Sequence, residues 1–183
     1  MIGNDVIDLE LAAAESDWRR KGFLEKLFSA DEMRLVLESE NPEISVWNLW
    51  SRKEAAYKIF NRNTGIRAFN PKHFHCRDLN DSGIVVFGDS RVYSKTEITS
   101  QYIHTICVED RNDWNKIASL SESQIIKKDD LPFVYQHGGY FPATVSHHGR
   151  FEFRFGLFKN GLDRDLSFQS AMYRTFFGDF QQP

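Results

Sequence analysis

The chain has 183 residues, a length that suits one compact domain or two small lobes sharing a core, with roughly 70% of the unfolded surface buried. It is 41% hydrophobic and 14% aromatic with a net charge of −3, which excludes a disordered chain and offers no basic excess for nucleic acid or an anionic membrane. Cys76 and Cys107 lie far apart in sequence and read as reduced, buried thiols. The acidic N-terminus lacks an apolar signal run and no stretch could span a bilayer, so a cytoplasmic protein is expected.

Ile2, Val6, Ile7 and Leu9 outline a short strand interrupted by the polar trio Gly3-Asn4-Asp5. Ser16 or Asp17 is placed to cap a helix running through Trp18 and Arg20 and closed by Gly22. Ser29-Ala30-Asp31-Glu32 has the form of a capping box, followed by Met33, Val36 and Leu37 as an apolar stripe. Asn41-Pro42 stops that helix. The clearest helical segment spans residues 45–60 and ends at Asn61, Asn63 and Gly65. Beyond it the pattern turns to short strands at 74–77, 84–87, 102–108, 123–126, 133–135, 142–148 and 151–158. Turn signals at 80–83, 129–130 and 138–139 separate several of them. Residues 160–183 show no periodicity.

Three groups of residues carry candidate chemistry. Glu54 and Lys58 lie four apart on one face of the long helix, with Trp47, Trp50 and Tyr57 nearby. An exposed pair of this kind contributes only about 0.2–0.5 kcal/mol, but aromatic surroundings suggest partial desolvation, where charges acquire roles. Asp5 reads locally as a turn or cap residue. It becomes a metal ligand only if a second carboxylate such as Glu54 is brought to it, since Mg²⁺ needs one or two carboxylates and completes its shell with water and phosphate oxygens. Ser146-His147-His148-Gly149-Arg150 places two histidines on opposite faces of a strand, so they cannot chelate one metal together. His73 and His75 share a strand face, but no second ligand pair stands at suitable spacing, and no Gly-rich phosphate loop or nucleophile elbow occurs.

Three of these segments, in order and in register, resemble the 4'-phosphopantetheinyl transferases. Ile2-Gly3-Asn4-Asp5-Val6 is similar to their Gly-x-Asp strand, Phe28-Ser29-Ala30-Asp31-Glu32 to their Phe-Ser/Thr-x-x-Glu helix start, and Trp50-Ser51-Arg52-Lys53-Glu54-Ala55-Ala56-Tyr57-Lys58 to their Lys-Glu helix. Together they cover about the first 110 residues and most resemble the short, holo-acyl-carrier-protein synthase branch. Ser146-His147 is similar to a Ser-His element of the longer, surfactin-synthetase-activating branch, where it precedes the Gly-x-Asp strand instead of following it. Ile7 stands where that branch has a second acidic residue.

The resemblance implies an α+β fold with small, mostly antiparallel sheets and packed helices. It divides the chain into two pseudo-equivalent lobes, a core lobe over residues 1–110 and a smaller one over 111–183. It implies a magnesium enzyme that moves the phosphopantetheine arm of coenzyme A onto a serine of an acyl or peptidyl carrier protein and releases 3',5'-ADP. Asp5 and Glu54 are then the metal ligands, and Glu54 and Lys58 the catalytic pair. Lys53, Lys58, Ser146 and His147 are then the contacts to coenzyme A. The alternative is a degenerate relative that binds coenzyme A or carriers without transfer.

Overall fold

The computed structural model describes residues 1–158, so the unpatterned segment 160–183 lies outside the described residues. Strand β1 (Ile2–Asp8) ends in a helix, α1 (Leu9–Glu15). Asp8 caps it, its side chain accepting from the Glu10 N–H. Leu9 therefore opens a helix instead of closing the strand, because a cap, an early Glu and an Ala-rich run outweigh continuation of the strand. Residues 16–20 form no helix, against expectation. Gly22, with φ of 82°, stands before α2 (Phe23–Leu27) as its N-terminal cap and does not end a helix.

Helix α3 (Ala30–Leu37) opens on the expected capping box, with Ser29 accepting from the Glu32 N–H and Glu32 accepting from the Ser29 N–H. Helix α4 (Pro42–Thr64) is longer than its sequence pattern suggests. Pro42 begins it, since the first helical position needs no N–H, and Asn41 caps it by accepting from the Ile44 N–H. Gly65, at φ 71°, closes it in the left-handed conformation.

The remaining described chain is mostly antiparallel strand. β2 (His75–Cys76), β3 (Ser82–Phe87), β4 (Ser90–Ile98) and β5 (Tyr102–Val108) join β1 in a five-stranded sheet ordered β1-β5-β4-β3-β2. β6 (Ile117–Ser119), β7 (Ile125–Lys128), β8 (Leu131–Gln136), β9 (Gly139–His148) and β10 (Phe151–Leu157) form a second, ordered β6-β10-β9-β8-β7. The α+β class is therefore the observed one. Strand β6, at the edge of the second sheet, had no strand of its own in the sequence pattern.

Helix α4 packs on β1 and β5, burying Val46, Leu49, Ala55, Ala56 and Ile59 against Ile7, Val85, Ile103 and Cys107. A smaller core joins the sheets, in which Ile2, Ile106 and Val108 of the first meet Ile117, Phe155 and Leu157 of the second. Cys76 and Cys107 are free and buried. No helix among the described residues is long and apolar enough to cross a membrane.

Candidate active site

Alternation along β1 sends Gly3, Asp5 and Ile7 toward α4, while Ile2, Asn4, Val6 and Asp8 face the second sheet. On α4 the helical repeat lines up Ser51, Ala55 and Lys58 over β1. The approach is close. A Cβ on Gly3 would run into the Ala55 carbonyl oxygen, so only glycine lets the helix backbone settle there. The Ser51 hydroxyl donates to the Asp5 carbonyl at 3.3 Å. Glu54, three residues on from Ser51, stands at a cleft of about 330 Å³. Asp5, Glu54, His147 and His148 line it together with an apolar wall of Phe23, Leu27, Trp47 and Trp50.

Bringing the two carboxylates together from β1 and α4 shifts the titration of Glu54. Glu54 is pushed up to about 7, first by burial and then by the charge of Asp5, against the pull of Lys58. Burial also raises Asp5, opposed by Lys58 and by the Ser146 hydroxyl. Asp5 Oδ1 accepts from Ser146 Oγ at 3.1 Å. Its Oδ2 is buried without a hydrogen-bond partner, a state that burial makes costly for a carboxylate.

Lys58 sits behind this pair. Its ammonium donates to the carbonyl oxygens of Asn4 at 2.6 Å and Val145 at 3.2 Å and lies 3.9 Å from Asp5 Oδ1. Two of its three protons thus tie β1 to β9. Arg62, one turn on, donates to the carbonyl oxygens of Pro132 and Ala143 at 2.8 and 2.7 Å, so α4 grips both sheets.

Lys53 does not reach the cleft. It is fully buried, with its ammonium paired to Glu32 Oε2 at 2.7 Å and donating to the carbonyl oxygens of Leu27 and Pro71 at 3.0 and 2.9 Å. All three protons are used, which leaves none for a phosphate. Glu32 in turn accepts from the Cys76 N–H. The Glu of the second motif and the first Lys of the third are therefore joined as a buried ion pair that anchors α3 to α4.

Ser146 and His147, adjacent in sequence, part company as alternation requires. His147 is exposed at the cleft. Ser146 is buried, accepting from the Val6 N–H at 3.0 Å while its hydrogen goes to Asp5. Asp8 carries no signal in the sequence beyond its place at a strand end, yet it gathers the end of the Ser-His segment. Arg150 donates to it from its backbone N–H, Nε and Nη2 at 3.0, 2.9 and 2.7 Å, which holds the Asp8 carboxyl well below the usual range. Gly149, at φ 54°, lies so close that a Cβ would overlap Asp8 Oδ2. His148 Nδ1 accepts from the Asp8 N–H at 2.9 Å, which leaves the ring proton on Nε2.

Among the described residues no group of three or more His, Cys, Asp or Glu side chains could enclose a metal. Asp5 and Glu54 nevertheless fit Mg²⁺, which takes one or two carboxylates and keeps positions for water and phosphate oxygens. A cation bound by these carboxylates would relieve both the unpartnered Asp5 Oδ2 and the raised Glu54.

A family model described as the 4'-phosphopantetheinyl transferase superfamily matches residues 1–107, which span β1 to β5 almost entirely. The chain belongs to that superfamily. Among solved structures it is similar to the apo-ACPS of Chronobacterium ammoiniagenes, at 17% identity over 58% of this chain and 93% of that one, with a TM-score of 0.46. It is similar to the holo-[acyl-carrier-protein] synthase of Thermotoga maritima at 16% identity, over 72% and 83%, with a TM-score of 0.47. For that of Neisseria meningitidis the figures are 15%, 60% and 97%, with a TM-score of 0.45. No curated protein sequence matches the chain.

Proposed function

We propose that the chain transfers the 4'-phosphopantetheine group of coenzyme A to a serine of an acyl or peptidyl carrier protein, with Mg²⁺ as cofactor and release of 3',5'-ADP. The observation that carries this reading is the meeting of Asp5 and Glu54 at one cleft, within the region the superfamily matches. One carboxylate has a buried oxygen without a partner and the other is held near neutrality. A cation and a phosphate-bearing substrate answer both. We read the chain as a cytoplasmic protein of two lobes, residues 1–110 and 111–183, with coenzyme A seated in the cleft.

In the reaction the carrier serine oxygen bonds to the β-phosphorus of coenzyme A. The bond from that phosphorus to the bridging oxygen breaks, and its electron pair leaves with 3',5'-ADP. Asp5 and Glu54 would hold Mg²⁺, which would supply charge neutralisation for the pyrophosphate. The Glu54 carboxylate accepts the serine proton as the new bond forms, since it stands at the cleft where the serine and coenzyme A would meet. Lys58 adds positive charge from behind Asp5. His147, exposed on β9, reaches the nucleotide end. Trp47, Trp50, Phe23 and Leu27 wall the cleft, exclude water and accommodate the aliphatic arm. Lys53 and the buried Ser146 have no donor left for a phosphate, so their parts are structural and positional.

Mass spectrometry of an apo carrier protein incubated with coenzyme A and Mg²⁺ tests this. The carrier should gain one phosphopantetheine. The gain should vanish in chelator and slow by about a hundredfold or more with Glu54→Gln, as when other stabilisers of transition-state charge are removed. Tight coenzyme A binding with no carrier modified would instead identify a non-catalytic relative.

A further inference from the structure

We propose that Ser146 is a positioning residue for Asp5, so that a strand of the second sheet sets the geometry of a carboxylate belonging to the first. The inference rests on the reading of Asp5 as a cation ligand and adds to it the group that aims the ligand.

β1 is the edge strand of its sheet, bonded to β5 on one side only. Its outward N–H groups, at Asn4, Val6 and Asp8, need acceptors that no neighbouring strand provides. β9 supplies them from side chains. Thr144 Oγ1 accepts from the Asn4 N–H at 3.1 Å, Ser146 Oγ from the Val6 N–H at 3.0 Å, and His148 Nδ1 from the Asp8 N–H at 2.9 Å. Both strands advance by two residues per contact, so the β9 side chains stand as a rack against the edge of β1.

Two members of the rack also return a hydrogen bond. Thr144 donates to Asn4 Oδ1 at 2.8 Å, an amide already held by the Phe153 carbonyl and the His104 ring. Ser146 donates to Asp5 Oδ1 at 3.1 Å. A serine hydroxyl has one hydrogen, and accepting from Val6 fixes the direction in which that hydrogen points. Ser146 is thereby committed to Asp5 Oδ1, on the same oxygen that Lys58 approaches at 3.9 Å. Oδ2 is left without a partner. The hydroxyl thus decides which carboxylate oxygen is spoken for and which still lacks a partner.

Thr144 provides a matched control, because it makes the same pair of bonds to β1 one step along without touching Asp5. We would titrate Mn²⁺ into the full chain by calorimetry, comparing wild type, Ser146→Ala, Thr144→Val and Ser146→Thr. Ser146→Ala should weaken Mn²⁺ binding by about tenfold, as expected on losing a hydrogen bond to a charged group. Thr144→Val should lower the melting temperature comparably yet leave Mn²⁺ affinity within about twofold. Ser146→Thr should restore most of the affinity, since Thr144 demonstrates that a threonine can make both bonds. Equal losses in Ser146→Ala and Thr144→Val, or none in Ser146→Ala, would overturn the proposal. If Ser146→Ala does not fold, Ser146→Cys, with a weak donor in nearly the same shape, takes its place with an intermediate loss expected. Wild-type protein that takes up no Mn²⁺ would refute the cation reading of the cleft. The crystal structure of the Ser146 variant would then decide the positioning role: a turned Asp5 carboxylate supports it, and an unmoved one overturns it.

Discussion

Replacing Glu54 by Gln in cation-free buffer should stabilise the protein near pH 8 and change little near pH 4. In the fold Glu54 titrates at about 7 against an ordinary value of 4.5. The folded state therefore holds a proton that the unfolded chain has released across this window. Stability contributed by the protonated group is complete below the unfolded value and is lost as pH rises through the folded one. At about 1.4 kcal/mol per unit the interval amounts to on the order of 3 kcal/mol, and partial exposure and relaxation reduce it to roughly 1–3 kcal/mol. Gln has the shape of the protonated acid and no charge to repel Asp5, so it removes the penalty at high pH. For a chain of this size the gain corresponds to a rise of about 2–10 °C in melting temperature.

The assay is a series of thermal melts of both proteins in chelator from acid to alkaline pH. The paired Asp8 and Arg150 lose stability on acidification, because the Asp8 carboxyl is held low, but that effect is common to both proteins and cancels in their difference. Added Mg²⁺ should raise the wild-type melt near pH 8 and leave Glu54→Gln nearly unmoved, since binding to the native state alone is stabilising. Parallel pH curves for the two proteins would refute the claim that burial and Asp5 act on Glu54.

Three other substitutions probe separate parts of the argument. Gly3→Ala should lower stability by about 1–3 kcal/mol or more in chemical denaturation, because its Cβ meets the Ala55 carbonyl; an unchanged midpoint would show that α4 does not need that approach. Lys53→Met strands the buried Glu32 and should cost about 3–5 kcal/mol, while coenzyme A affinity per folded molecule stays the same in calorimetry. A loss of affinity without loss of stability would return Lys53 to the phosphates. His147→Ala should weaken coenzyme A binding several-fold without shifting the melt, and unchanged affinity would remove His147 from the site.

Local structure was legible wherever short-range chemistry decides it. The capping box at Ser29 and Glu32 needs only the spacing of two side chains, and the helix around Glu54 and Lys58 is carried by good helix formers and a terminal glycine. The chain's α1 shows the limit of that reading. Asp8-Leu9-Glu10 is a cap followed by a helical run, but Leu9 also continued an apolar alternation, and the alternation pointed the wrong way. Gly22 was correctly a punctuation mark, but its side of the boundary depends on where Trp18 and Phe23 pack.

The site was only half legible. Motif spacing paired Asp5 with Glu54 through a family resemblance, and Gly3 shows why that pairing is physically possible. The fates of the two lysines were decided elsewhere. Lys53 and Lys58 are both basic residues on one helix, five apart, so they leave it in different directions. One meets Glu32 in a closed core and the other meets carbonyls of β1 and β9. Ser146, expected on the substrate, turned out to be held by Val6 and Asp5, and Arg150 by Asp8. These partners lie about 140 residues apart in the chain, and no periodicity or propensity acts over such a separation. Sequence determined which segments could be strands and helices and which carried charge. Tertiary packing decided which of those charges meet, and the abutment of the β9 face against the free edge of β1 joined Ser146 to Asp5 and Arg150 to Asp8, because an edge strand must find acceptors for its N–H groups and takes them from whatever the fold brings alongside.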